Sequence, residues 1–175
     1  MSRRRALLAI LVLAAAAWGS LSQAQDRGTR TGPNDVTKPP LGQTQQDAAI
    51  FFRIDDKGVE NILTNMKITF QKIDFKGVTF FTFNLDGSTA ILGNFNNSLA
   101  ISTPGFKTVA NVSVPMDRIN EWNRTRRFAK AFLDKNGFAI LQMDIDFFGG
   151  ANQRIITEWI NLFRNNLREF ANYTK

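Results

Sequence analysis

The hydrophobic positions between residues 48 and 175 change period several times, and each change marks an element. Ala48 to Ile54 is a short apolar entry. Val59, Ile62, Leu63 and Met66 then recur at i, i+3, i+4 and i+7, one face of a short helix. Asp55 and Asp56 stand where a helix start needs an acceptor, and Gly58 weakens the helix slightly. The period next drops to two. Lys67 to Asp74 carries Ile68 and Phe70 in alternation, and Val78 to Leu85 carries Phe81, Phe83 and Leu85 on one face. Asp86-Gly87 is a two-residue hairpin signal. It sets Leu85 against Ser88, Phe83 against Ala90 and Phe81 against Leu92, and it predicts a returning strand over Thr89 to Phe95. Leu99 to Thr103 reads as a fourth strand, ended by Pro104-Gly105.

Pro115 suits a helix start, because it has no N–H to leave unpaired. Met116, Ile119 and Trp122 follow as a stripe that leads into an Asn-Arg-Thr-Arg-Arg corner. Arg126 to Asp134 and Phe138 to Phe147 predict a hairpin turned by Asn136-Gly137. A two-residue turn there pairs Phe132 with Leu141, Lys130 with Met143 and Phe128 with Ile145. The other face sets Arg127 against Asp146 and Ala129 against Asp144. Lys130 breaks the apolar pattern of its face. After Gly149-Gly150, Asn152 to Asn172 is the longest amphipathic stretch, with Ile156, Ile160, Phe163, Leu167 and Phe170 at helical spacing and Trp159 as a core anchor. The order helix, strands, helix, hairpin, helix predicts an α+β fold: a single antiparallel sheet packed by helices.

Composition narrows the chemistry. The 175 residues include no Cys and no His. Thiol nucleophiles, disulfides, Ser-His dyads and the usual zinc ligand sets are therefore excluded. Ahead of the domain, Arg3, Arg4 and Arg5 precede the apolar run Ala6 to Trp18, and Ser22-Gln23-Ala24 supplies small residues. This is the pattern of a signal peptide over residues 1–24, cleaved after Ala24. The run is shorter than the roughly 20 apolar residues that span a bilayer. The arginine run leaves both the general and the twin-arginine export routes open. Residues 25–47, rich in Gly and Pro, read as a flexible linker, and 48–175 as the domain. Loss of three arginines on cleavage leaves 19 basic against 15 acidic residues. Export to the periplasm argues against a nucleic-acid partner, and cleavage leaves no stable membrane anchor.

Ile119-Asn-Glu-Trp-Asn-Arg-Thr-Arg-Arg-Phe-Ala129 resembles the signature of the YbjN family, whose members carry the label of bacterial sensory transduction regulators. The Met-Asp-Ile-Asp run and the Gly-Gly before the last helix are similar to that family too. The likeness is most specific from Ile119 to Gly150 and looser from Ile54 to Phe170. In the hairpin loop Asp134-Lys135-Asn136-Gly137 the chain departs from a more acidic loop. The resemblance implies a fold like that of type III secretion chaperones, domains that bind proteins and often dimerise, and no enzymatic activity.

Four residues make the sharpest constellation: Trp122, Arg124, Arg126 and Arg127. One reading is a basic, aromatic-edged surface that grips an acidic peptide. The other is structural, with Arg127 paired to Asp146, Trp122 sealing helix to sheet, and Asn123 and Thr125 satisfying backbone groups at the corner. Asp144 and Asp146 share one strand face. They lack the further oxygens of a calcium site, so a structural charge pair is the plainer reading. Gly149-Gly150 lacks the spacing of a phosphate loop. Neither metal nor cofactor is expected. The sequence thus points to a non-enzymatic periplasmic module that binds a protein or peptide, or that regulates. The alternative is a self-associating homodimer without a separate ligand.

Overall fold

The computed structural model describes residues 49–106 and 113–174. The signal-peptide and linker segments lie outside these residues, and so does most of the unassigned stretch after Phe106.

Helix α1 spans Asp56–Asn65. Asp55 caps it, its carboxylate accepting from the Gly58 N–H at 2.8 Å. Gly58 earns its place through space: a Cβ there would stand 2.7 Å from Ile54 Cγ1. The helix ends with Lys67 in the left-handed region (φ 58°) and the Ile68 N–H bonded to the Leu63 carbonyl at 2.9 Å. This closes the orphan carbonyls of the last turn. It also takes Ile68 out of the strand expected from Lys67, so β1 begins later, at Phe70–Phe75.

Strands β2 (Val78–Leu85), β3 (Ser88–Asn94) and β4 (Ser98–Ser102) continue as a meander. The β2–β3 register is the one the Asp-Gly turn predicts: Leu85 opposite Ser88, Phe83 opposite Ala90 and Phe81 opposite Leu92. Helix α2 (Met116–Thr125), strands β5 (Lys130–Leu133) and β6 (Ala139–Asp146), and helix α3 (Gln153–Tyr173) complete the order. The sheet runs β1-β2-β3-β4-β6-β5, antiparallel throughout. The fold is α+β, as the sequence predicts.

One apolar cluster joins the three helices to one sheet face. It holds Val59, Ile62 and Leu63 of α1, Ile119 and Trp122 of α2, and Trp159, Phe163 and Phe170 of α3. From the strands come Phe81, Phe83, Leu92, Leu99, Leu141 and Met143. The alternate positions Phe80, Ile91, Ala100 and Ile140 are also buried and stand outside that cluster. Near-continuous apolar runs are what a sheet apolar on both faces requires. Polar contacts fix the helices further. The Arg168 guanidinium reaches Asp86 at 2.7 Å and ties α3 to the β2–β3 turn. That hydrogen bond, with the charges of Arg164 and Arg168, holds the Asp86 carboxyl below its ordinary pKa against a weaker opposing effect of desolvation.

Two expectations need correction. Met116 does not join the buried stripe of α2. It opens the helix and is exposed, while Val114 before the helix is buried beside Ile119 and Trp122. The β5–β6 hairpin has a different register: Lys130 faces Gln142, Ala131 faces Leu141, Phe132 faces Ile140 and Leu133 faces Ala139. The cause is the turn. Asp134 N–H bonds to the Phe138 carbonyl at 2.9 Å, so the loop holds three residues, Lys135, Asn136 and Gly137, with Gly137 left-handed at φ 75°. One residue of slip turns every side chain to the other face. Ala129 and Ala131 therefore point inward, and Lys130, the residue out of place in the expected register, points to solvent.

Candidate functional site

The arginine corner is built on Trp122. Its side chain is 1 % exposed and packs edge-on against Phe170 of α3, with ring centroids 4.9 Å apart. Tyr173 stands on another side at 5.6 Å. The indole N–H donates to the Ala129 carbonyl at 3.3 Å. The next residue, Asn123, behaves as a short piece of strand. Its amide donates to the Ala131 carbonyl at 2.9 Å, and its carbonyl oxygen accepts from the Ala131 N–H at 2.8 Å. The N–H and C=O of Ala131 point away from β6, along the outer edge of the sheet. Asn123 therefore fills the hydrogen bonds that a seventh strand would have made there. Thr125 Oγ1 donates back to the Glu121 carbonyl at 2.7 Å as the helix ends.

The three arginines differ. Arg124 is paired with Glu121 on its own helix at 2.6 Å. Arg126 reaches Glu169 of α3 at 3.2 Å and lies over the Trp122 ring, 5.5 Å from its centroid. Arg127 is exposed and has no ion pair among the described residues. The expected pair of Arg127 with Asp146 is not formed. Strand β5 begins only at Lys130, and Asp146 lies opposite Ser98 of β4, its carboxylate accepting from the Phe148 N–H at 3.1 Å. Asp144 faces Ala100 and accepts from the Gln142 amide at 3.0 Å. Among the described residues no group of three or more acidic side chains is arranged to hold a metal.

Sequence reasoning missed Phe128. The two-residue turn would set it opposite Ile145, but Ile145 faces Leu99 of β4. Phe128 instead has φ 72°, and the Ala129 N–H bonds back to the Arg127 carbonyl at 2.9 Å. This is a γ-turn of the rare positive-φ kind, centred on an aromatic residue. The residue is 72 % exposed. A strained conformation costs about 1–3 kcal/mol and persists only where its surroundings over-determine it. Here they do: the Arg126 N–H is bonded to the Trp122 carbonyl at 2.8 Å, and the Trp122 indole holds Ala129 on the other side. Both anchors come from one buried residue. The corner thus presents Phe128 outward beside Arg127, whose guanidinium has no ion pair among the described residues. The one sequence signal was the pair of small residues Ala129 and Ala131 on either side of Lys130, both of which are buried.

A second polar group lies at the start of α1. The Asp56 carboxylate accepts from Thr79 Oγ1 at 2.7 Å and from the Asn94 amide at 2.9 Å, and meets Lys72 Nζ at 3.0 Å. Desolvation works to raise the Asp56 pKa. The hydrogen bonds from Thr79, Asn94 and Lys72, with the Lys72 charge, outweigh it and hold the pKa below the ordinary value. A carboxylate so fully supplied with donors is a clamp between α1 and the sheet rather than a proton carrier. Its partners are 23 and 38 residues away in the chain, so no spacing announces it. The Gly149-Gly150 pair forms a turn, with the Gly150 N–H bonded to the Phe147 carbonyl at 2.9 Å. The helix behind it is capped by Asn152, whose side chain accepts from the Ile155 N–H at 2.9 Å.

No curated protein matches this sequence. The family model described as "YbjN: Putative bacterial sensory transduction regulator" matches residues 55–174, from the cap of α1 to the end of α3. That match covers more than half of the chain and includes the whole sheet, the corner and all three helices. The chain belongs to the YbjN family.

Proposed function

We propose that this protein is a non-enzymatic binding module of the regulatory kind. It works in the periplasm and engages an acidic protein or peptide segment at the corner formed by Arg124, Arg126, Arg127 and Phe128. One observation carries this reading: Phe128 is held outward in a strained γ-turn next to an arginine with no partner of its own among the described residues. An exposed aromatic ring beside a guanidinium suits a partner with a carboxylate and an apolar side chain close together. Arg124 and Arg126 are already paired with Glu121 and Glu169, so they frame the site while Arg127 makes the new contact. Trp122 is buried and acts from below by holding the turn. The regulatory label of the family supports a docking role, and so does the chaperone-like fold that the family resemblance implies.

The test is capture from periplasmic extract on the immobilised protein. We expect a protein retained by the wild type and by a Phe148→Ser control, and lost with Arg127→Glu or Phe128→Ser. Phe148 is the fitting control because it is 83 % exposed and lies away from the corner in sequence. Equal recovery with all four proteins, or none with any, rejects the proposal.

A further inference from the structure

Three large apolar residues are exposed together where the domain begins. The chain enters as a short extended segment bridged to the residues ahead of α3. The Phe51 N–H donates to the Ala151 carbonyl at 2.8 Å, and the Ala151 N–H to the Phe51 carbonyl at 2.9 Å. The Phe51 ring turns inward and meets Phe147 edge-on, with centroids 6.0 Å apart. Neighbours in an extended chain point the other way, so Ile50 and Phe52 face outward. Both lie over Gly150, where a Cβ would stand 2.5 Å from Ile50 Cγ2 and 3.4 Å from Phe52 Cε1. Phe148 leads the turn closed by the bond from the Gly150 N–H to the Phe147 carbonyl. A Cβ at Gly149 would meet nothing within 4 Å, so this turn stands clear of its surroundings. Ile50, Phe52 and Phe148 are 66, 61 and 83 % exposed.

The charges around them are not equally engaged. The Asp55 carboxylate accepts from the Gly58 N–H, and that of Asp146 from the Phe148 N–H. Glu158 meets Arg154 at 3.4 Å. Arg53, next to Phe52 in the chain, is exposed and has no ion pair among the described residues. The charge left over beside the apolar side chains is therefore a cation.

We propose that this knuckle docks on a membrane surface: Ile50, Phe52 and Phe148 enter the interface of a phospholipid bilayer, and the Arg53 guanidinium binds a lipid phosphate. Interfacial apolar groups sink about 5–10 Å into the boundary between headgroups and acyl chains, which is within reach of side chains that project this far. A guanidinium matches a phosphate with two parallel hydrogen bonds. Projecting apolar side chains beside an unengaged cation fit a fluid anionic surface, which moulds itself around them and needs no complementary pocket. Among the described residues no helix is long and apolar enough to cross a membrane, so the contact is shallow and reversible. The knuckle and the arginine corner lie at opposite ends of α3. Arg126 meets Glu169 in the last turns, while the knuckle adjoins the Asn152 cap, about 25 Å away along the helix. The domain can thus rest on a bilayer with the corner turned away from it, and the inference is independent of what the corner binds.

Co-sedimentation with vesicles of phosphatidylethanolamine and phosphatidylglycerol tests it. The chain is used without residues 1–24, so that the apolar run Ala6 to Trp18 contributes no lipid binding of its own. The wild type should sediment with the vesicles. Phe52→Ser and Phe148→Ser should each weaken binding about tenfold, and Arg53→Glu by about as much. Met116→Ser, which removes an exposed apolar residue elsewhere, should leave it unchanged. A reporter in the knuckle gives the depth. In Phe148→Trp the added indole should shift its emission to the blue on vesicles, and lipids brominated on their acyl chains should quench it. No sedimentation, equal binding by all the variants, or an added indole that the brominated lipids do not reach overturns the proposal. So does a periplasmic protein retained by the wild type and lost with Phe52→Ser, which would assign the knuckle to a protein partner.

Discussion

The β2–β3 and β5–β6 hairpins carry similar turn sequences and close in different ways. In the first, the Asn84 side chain accepts from the Gly87 N–H at 2.8 Å, and the loop is Asp86-Gly87 alone, with φ 51° and 89°. In the second, the Asp134 side chain accepts from the N–H groups of Asn136 and Phe138 at 2.9 and 2.7 Å. The loop there is three residues long. The acceptor stands three residues before the glycine in both hairpins; what differs is which N–H groups it takes, that of the glycine in one and those on either side of the glycine in the other. The lesson is that an X-Gly pair does not decide a register by itself. The number of residues in the loop goes with the N–H groups its acceptor takes, and that number decides which face is buried.

The largest expected effect separates the hairpins by what supports them. Trp122→Ala removes the buried side chain under β5 and should cost about 3–5 kcal/mol in urea unfolding. Amide exchange should rise first at Ala129 and in β5, with β2 and β3 still protected. An equal rise in both hairpins would show that Trp122 supports the whole sheet and not the corner. Asp134→Ala, which removes two hydrogen bonds from backbone N–H groups and a longer one from the Asn136 amide, should cost about 1–2 kcal/mol, and Asn84→Ala, which removes one, about half as much. Equal losses would mean that the acceptors do not set the two loops. The smallest effect has the opposite sign. Phe128→Gly relieves a left-handed aromatic residue whose ring contributes little burial, so it should stabilise the domain by about 0.5–1 kcal/mol. A loss of stability would show that the Phe128 ring packs after all, and would remove the basis for reading it as a docking group.

Much of the fold was legible because several signals agreed. In β2–β3 the alternation of Phe81, Phe83, Ala90 and Leu92 matched the register its turn imposed. In α3 the 3.6-residue spacing of Ile156, Ile160, Phe163, Leu167 and Phe170 met an Asn152 cap at one end. In β5 the signals conflicted. Phe128, Lys130 and Phe132 look more apolar in sum than Ala129 and Ala131, so bulk favoured the wrong face. The two alanines are nonetheless the buried pair, because the three-residue loop sets the register, and that loop has no trace in the alternation of the strand. The structural reading of Asn123, as a residue satisfying backbone groups at the corner, was accessible from its place at a helix-to-strand junction. The strain at Phe128 was not, because nothing in a composition or a period reports a positive φ.

Asn123 has one more consequence. By occupying the polar groups of Ala131 it denies an incoming strand the middle of the β5 margin. An extended chain from another molecule meets a plugged site there, so one amide side chain lowers the danger of fibrous growth along that rim.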